Sequence, residues 1–181
     1  SWPDGTNKFE LIVTYLEGGK MSEYLFDFIE VGDEILYKGP MGIFTLPEDM
    51  TKRDIYFVST GSGVSPFRSM INYIYENKVP FKNIKLFFGT RRTEDIVYKE
   101  EFEYLEKELE NFEYIPVLSR EKDTGYKEGH VHKHYLDLID NSKDKPLVYF
   151  CGWNIMIDQG RQELKKRDFQ MMKDIRVEIF G

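Results

Sequence analysis

The sequence predicts an α/β fold, a five-stranded parallel sheet covered on both faces by helices and preceded by a short piece of β structure. Five short apolar runs carry the prediction: "DIYFVST", "NIKLFFG", "FEYIPVLS", "PLVYFCG" and "IRVEIF" follow one another between residues 54 and 180. Between successive runs lie segments with helical spacing, "SPFRSMINYIYEN", "YKEEFEYLEKELE", "GHVHKHYLDLI" and "NIMIDQGRQELKKR". Such alternation gives βαβ units with right-handed crossovers and a parallel sheet. Upstream of a turn- and charge-rich stretch, "GPMGIFTLPEDMTKRD", the texture differs. "FELIVTYL" alternates with Phe9, Leu11, Val13 and Tyr15 on one face, and "EILYKG" follows the turn "VGD", so two strands are expected there. Between them "SEYLFDFI" has room for one or two helical turns, with Tyr24, Leu25 and Phe26 expected in the core. The expected division is residues 1–50 and 51–181.

Composition narrows the function. The 181 residues suffice for one ordinary domain plus part of another, and 41% hydrophobic content with 14 Phe and 12 Tyr marks a chain that buries a core. A net charge of −7 argues against a nucleic-acid partner, whose phosphates demand clustered Lys and Arg. The single cysteine excludes an internal disulfide. No apolar run approaches the roughly 20 residues needed to cross a bilayer and no leader pattern opens the chain, so a soluble, cytoplasmic protein with no membrane partner is expected. Ser1 in place of an initiator Met reads as a processed or partial end.

Ligands of open α/β sheets sit beyond the carboxyl ends of the strands. There the sequence places Thr60, Gly61, Ser62 and Gly63, then Gly89, Thr90, Arg91 and Arg92, then Ser119 and Arg120, then Cys151 and Gly152. Small residues let a ligand reach the backbone, and free amides at a helix start favour phosphate oxygens. Ser65 is expected to cap the following helix and Pro66 to fill its first turn. The Gly-x-Gly alone is equally a tight strand-to-helix connection. Together, the four strand ends point to a nucleotide site.

The series "GSGVSPFRSM", "LFFGTRRTEDIVYKEEFEYL", "VLSRE", "YFCGWNIM" and "VEIF" resembles the NAD(P)-binding domain of the ferredoxin-NADP(+) reductase superfamily, a Rossmann-like fold. "GGKMSEYLFD" and "VGDEILYKGPMGIFTLP" resemble the second part of that family's antiparallel FAD-binding β-barrel. The Arg-x-Tyr-Ser stretch by which members grip the flavin is missing, and Ser1-Trp2-Pro3 look like the residues that follow it. The resemblance implies an oxidoreductase that moves a hydride between a nicotinamide nucleotide and FAD and then single electrons to a ferredoxin, flavodoxin or oxygenase component. The alternative is a nucleotide-binding module that cannot turn over because the flavin grip is incomplete.

Carried over residue by residue, Gly61, Ser62, Gly63 and Pro66 would form the pyrophosphate turn, with Thr60 near the nicotinamide. Gly89 and Arg91 would line the ribose and phosphate region. Ser119 and Arg120 match the pair that meets the 2′-phosphate in NADP-using members, where a guanidinium fork suits a dianion, although "SRE" also resembles NAD-using relatives. Lys127, after Tyr126, would be a second phosphate contact. Cys151 would position the nicotinamide for hydride transfer, with Gly152 and Met156 beside it, or else be an inert buried thiol. Family members follow this Cys-Gly with prolines, whereas Trp153 and Asn154 stand here. Glu178 and Phe180 match a terminal carboxylate and aromatic beside the flavin, unless "RVEIF" is only an alternating edge strand. Gly19, Lys20, Met21 and Ser22 resemble the loop and helix start that hold the flavin pyrophosphate, with Ser22 as a cap; alone they read as a hairpin loop. His130, His132 and His134 read as a solvated helix start in preference to a zinc site, since no further ligand stands at a telling distance. "EDIVYKEEFEYLEKELE", with its stripe of Ile96, Phe102, Leu105 and Leu109, reads as an amphipathic helix.

Overall fold

The computed structural model describes residues 4–39 and 41–179. Its centre is an all-parallel sheet of six strands: β1 (Ile55–Thr60), β2 (Ile84–Thr90), β3 (Phe112–Leu118), β4 (Lys127–Glu128), β5 (Leu147–Gly152) and β6 (Ile175–Ile179). They lie in the order β4-β3-β2-β1-β5-β6. The five apolar runs all became strands, and in central β1 and β5, covered on both faces, continuous burial and not alternation is the signature. The sixth strand, β4, is two exposed residues paired to Val117 and Leu118, too short and polar to leave a hydrophobic trace.

The two β-strands expected around residues 9–16 and 34–39 are absent among the described residues. A strand exists only in a ladder, and no described segment pairs with either one. Phe9, Leu11, Phe28, Leu36 and Ile43 stand exposed, as do Tyr24 and Phe26, which were expected in the core. The helical turns between them do form, as α1 (Lys20–Glu23) running into a π-helical turn, Tyr24–Phe28.

Four longer helices follow the predicted segments: α2 (Ser65–Asn77), α3 (Lys99–Glu108), α4 (Val131–Asp140) and α5 (Asn154–Lys165). Side chains alternate across the sheet. Phe57, Leu86, Phe88 and Tyr149 pack under α2 and α3, while Val58, Phe87, Val148 and Phe150 pack under α4 and α5. On the first face Phe57 stacks on Phe67 at 4.6 Å between ring centroids and meets Tyr149 edge-on at 5.4 Å. At the other end of the strands, Arg53 donates to the carbonyls of Lys145, Pro146 and Lys173 and to the Asp174 carboxylate, tying together the starts of β1, β5 and β6.

The segment before β1 is anchored on the same face. The Tyr149 hydroxyl and the Arg176 guanidinium both donate to the Thr45 carbonyl, at 2.9 and 2.7 Å. Phe44 lies against Tyr149 and Phe67. Further upstream, buried Arg68 pairs with Glu101 at 2.8 Å and Glu10 at 3.1 Å, and its guanidinium lies 3.9 Å over the Tyr98 ring.

Phe57 is fully buried in this aromatic stack, so Phe57→Ala removes both ring contacts and leaves a cavity. The expected loss is about 3–5 kcal/mol in denaturant unfolding, read as a lower midpoint at unchanged slope.

Candidate nucleotide site at the strand ends

β1 is flanked by β2 on one side and β5 on the other, so the chain reverses its direction of winding between β1 and β5. Crossovers leave the strand ends in opposite directions there, opening the crevice in which such sheets hold ligands. Two close backbone approaches shape it. A Cβ on Gly63 would stand 2.3 Å from the Cys151 carbonyl oxygen, and one on Gly152, at φ +139°, would stand 2.4 Å from Thr60 Oγ1. Only hydrogen fits at either position. Thr60 Oγ1 in turn accepts from the Trp153 amide at 3.2 Å, so the ends of β1 and β5 are stitched side chain to backbone.

The chain leaves β1 through a 3-10 turn, Gly61–Val64, that runs without a break into α2. Pro66 occupies the first turn of α2 as predicted, but Ser65 makes no capping bond, because the 3-10 turn already continues the helix toward its N-terminus. Gly61 adopts φ +54°, and a Cβ there would meet nothing within 4 Å. Gly61 therefore presents backbone to open space, which fits a phosphate group, with half-buried Ser62 next to it, whereas Gly63 is buried and serves backbone packing. Gly89 is also a packing glycine: its Cβ would lie 2.8 Å from Val131 of α4 and 3.1 Å from the Thr60 methyl. A separate groove of about 520 Å³ along α2 reaches this site only through Pro66.

Cys151 is fully buried, and burial, aided by the charge of Glu178, pushes its thiol up to about 12. Glu178 is its direct neighbour in the β5–β6 ladder, so β6 is both an edge strand and the element that brings a carboxylate beside the cysteine. Phe180 lies outside the described residues. Met156 is buried among Phe150, Tyr135 and Ile157 and is a core residue, since it sits on the inner face of α5. Trp153 stands exposed at the mouth.

At the other end of the crevice the turns after β2 and β3 are zipped together. The Thr90 carbonyl accepts from the Ser119 amide at 3.0 Å and from the Ser119 hydroxyl at 3.1 Å, and the Arg91 carbonyl accepts from the Arg120 amide at 2.9 Å. Arg91 and Arg120 are exposed. Sequence reading missed Thr93 and Glu121, whose contact depends on this zipper: the Glu121 carboxylate accepts from both the amide and the hydroxyl of Thr93. Lys127 is exposed on β4, and Tyr126 lies beneath the Lys99 ammonium.

On the upstream segment Gly19 precedes α1, but Ser22 is not its cap. It lies inside the helix, buried, and its hydroxyl bonds to the Leu16 amide and to the carbonyls of Leu16 and Gly19, closing the glycine turn. Lys20 and Met21 are exposed beside it. The histidines also differ from expectation. His130 precedes α4, and the His134 ring bonds the Glu128 carbonyl. His132 is half-buried, not solvated; it bonds the Tyr135 hydroxyl at 2.8 Å, and burial lowers its pKa. Among the described residues no group of three His, Cys, Asp or Glu converges, and no helix is long and apolar enough to cross a membrane.

Residues 57–162 match the oxidoreductase NAD-binding domain, and residues 1–46 match the oxidoreductase FAD-binding domain. The chain is similar to ferredoxin–NADP reductase B of Sorangium cellulosum, with 36% identity over 90% of this chain and 68% of that protein. It is 33% identical to the phenol hydroxylase P5 protein of Acinetobacter pittii over 98% of this chain and 50% of that one. Among solved structures it resembles the Amycolatopsis cytochrome P450 reductase GcoB, at a TM-score of 0.81 and 26% identity, covering 93% of this chain and 50% of that one. The chain thus spans about two thirds of the first of these proteins and half of the other two.

Two outcomes test this geometry. Gly63→Ala must displace the Cys151 carbonyl and is expected to cost about 1–3 kcal/mol, whereas Gly61→Ala carries only the left-handed backbone penalty of about 1 kcal/mol; equal losses in denaturant melts would contradict the packing described. Cys151, neutral and buried, should resist iodoacetamide at pH 8 in the native protein and react promptly in denaturant.

Proposed function

The chain belongs to the ferredoxin-NADP(+) reductase superfamily of FAD- and NAD(P)-dependent oxidoreductases, and on that premise we propose that the protein takes a hydride from NADPH, with NADH as the alternative donor, and delivers single electrons to an acceptor protein. The observation that carries this is the β1–β5 crevice, where a glycine turn open to phosphate and a neutral thiol beside a carboxylate meet at the winding reversal. FAD, when bound, supplies the hydride acceptor and the means of splitting an electron pair.

The chain's own residues bind and orient. The Gly61–Ser62 backbone, preset by Pro66, holds the pyrophosphate, while Arg91, Ser119 and Arg120 take the adenosine end. Ser119 must turn its hydroxyl from Thr90 to donate to a phosphate. Thr60, Cys151 and Gly152 flank the nicotinamide. A thiol held neutral adds no charge to repel or trap a migrating hydride, so Cys151 positions the ring and does not attack it. Gly19, Lys20, Met21 and Ser22 form the flavin pyrophosphate turn, with Ser22 acting through the turn it closes, and Glu178 stands at the flavin edge. In this reading residues 1–50 are the C-terminal part of the flavin barrel and 51–181 bind the nucleotide.

The relatives bear the names of a ferredoxin–NADP reductase, a phenol hydroxylase protein and a cytochrome P450 reductase, which favours a ferredoxin, flavodoxin or oxygenase component as acceptor.

The test is visible absorbance of the intact natural protein under anaerobic conditions, before and after NADPH and then NADH. The expected result is a yellow protein that bleaches faster with NADPH. A colourless protein that takes up no FAD yet binds the nucleotides would replace hydride transfer by a nucleotide-binding module, and one that binds neither would end the reading.

A further inference from the structure

The adenosine end of the site holds two arginines with no acidic partner among the described ion pairs, on turns joined by backbone hydrogen bonds. Of the carboxylates near it in sequence, Glu94 pairs with Arg92, Asp95 accepts from the Arg92 amide, and Glu121 follows Arg120 directly. Free to rotate, that carboxylate has two ways to spoil the site for a phosphate: it can pair with the Arg120 guanidinium, or it can face the ribose, where it accepts from a 2′-hydroxyl and repels a 2′-phosphate. It does neither. Glu121 Oε2 is held by the Thr93 amide at 2.8 Å and the Thr93 hydroxyl at 2.6 Å, across the gap between the β2 and β3 turns. Both residues are half-buried, while Arg91 and Arg120 remain exposed.

We propose that the Thr93–Glu121 pair is a specificity-setting device: by sequestering the carboxylate, it leaves the arginine edge uncompensated and makes the site select the 2′-phosphate of NADP over the 2′-hydroxyl of NAD. Thr93 and Glu121 are positioning residues that touch no ligand. The inference rests on the reading of this edge as the adenosine end of a nicotinamide nucleotide site. Two donors hold one oxygen, and the hydroxyl is the one that depends on the side chain. Thr93→Val keeps the shape and the amide but loses that bond, and a hydrogen bond to a charged acceptor is worth roughly tenfold in an equilibrium.

The experiment is calorimetric titration of the intact protein with 2′-phospho-AMP and with AMP, which needs no flavin and no turnover. The natural protein should prefer 2′-phospho-AMP, and Thr93→Val should cut that preference by roughly tenfold. Thr93→Ser, which keeps the hydroxyl, should retain it. The decisive variant is Thr93→Val with Glu121→Gln: with no carboxylate left to swing toward the ribose, the preference should return. Thermal melts of each variant confirm folding. An unchanged preference in Thr93→Val, or a loss that the double variant fails to restore, overturns the device, the latter by showing a merely structural role. A natural protein that binds AMP as well as 2′-phospho-AMP overturns the inference but leaves the nucleotide site standing. Binding of neither compound overturns both.

Discussion

The structure depends on a contact between two backbones. Where β1 turns into α2, the Gly63 Cα lies so close to the end of β5 that no side chain fits beside the Cys151 carbonyl, and Gly152 answers with the same demand against Thr60. Because β1 and β5 are parallel neighbours whose crossovers leave in opposite directions, this contact sets the width of the crevice between them. The open backbone of Gly61 and the neutral thiol of Cys151 lie on either side of it, and the β5–β6 ladder sets the Glu178 carboxylate beside Cys151.

Aromatic packing carries that geometry away from the strand ends. Phe57, Phe67 and Tyr149 form one stack under α2, and Phe44 extends it to the segment before β1. A single carbonyl, that of Thr45, receives both the Tyr149 hydroxyl and the Arg176 guanidinium, so the upstream segment is fastened to β5 and β6, the strands that carry Cys151 and Glu178. Arg68 fastens the same segment at Glu10, buried and doubly paired with Glu101, where an unpaired charge would be costly. If the upstream residues hold a flavin as proposed, these are the contacts that align it with the nucleotide.

Charge is handled locally. The chain as a whole is acidic, at −7, yet the edge after β2 and β3 presents Arg91 and Arg120 outward. Anion binding answers to the field at the site, not to the sum over the chain. Thr93 holds the adjacent Glu121 carboxylate and lowers its pKa, so it remains charged but committed.

The sequence by itself determined the parallel sheet and its helices, since buried runs such as "IYFVST" and "LVYFCG" and amphipathic stripes such as Phe102–Leu105 are local patterns set by period and burial. It also located the strand-end residues, because in this topology ligands gather at carboxyl ends. What Gly63, Gly89 and Met156 do was decided only in three dimensions. A glycine that serves a ligand and one that serves a neighbouring carbonyl or valine look alike in sequence, and a methionine at a helix start becomes core only when α5 docks. Residues 9–16 and 34–39 form no strand among the described residues for a related reason: alternation makes a segment competent to pair, but pairing needs a partner. Thr93 and Glu121 lie 28 residues apart and meet only because β2 and β3 run side by side. Local chemistry is written along the chain, whereas contacts across strands exist only once the ladder is built.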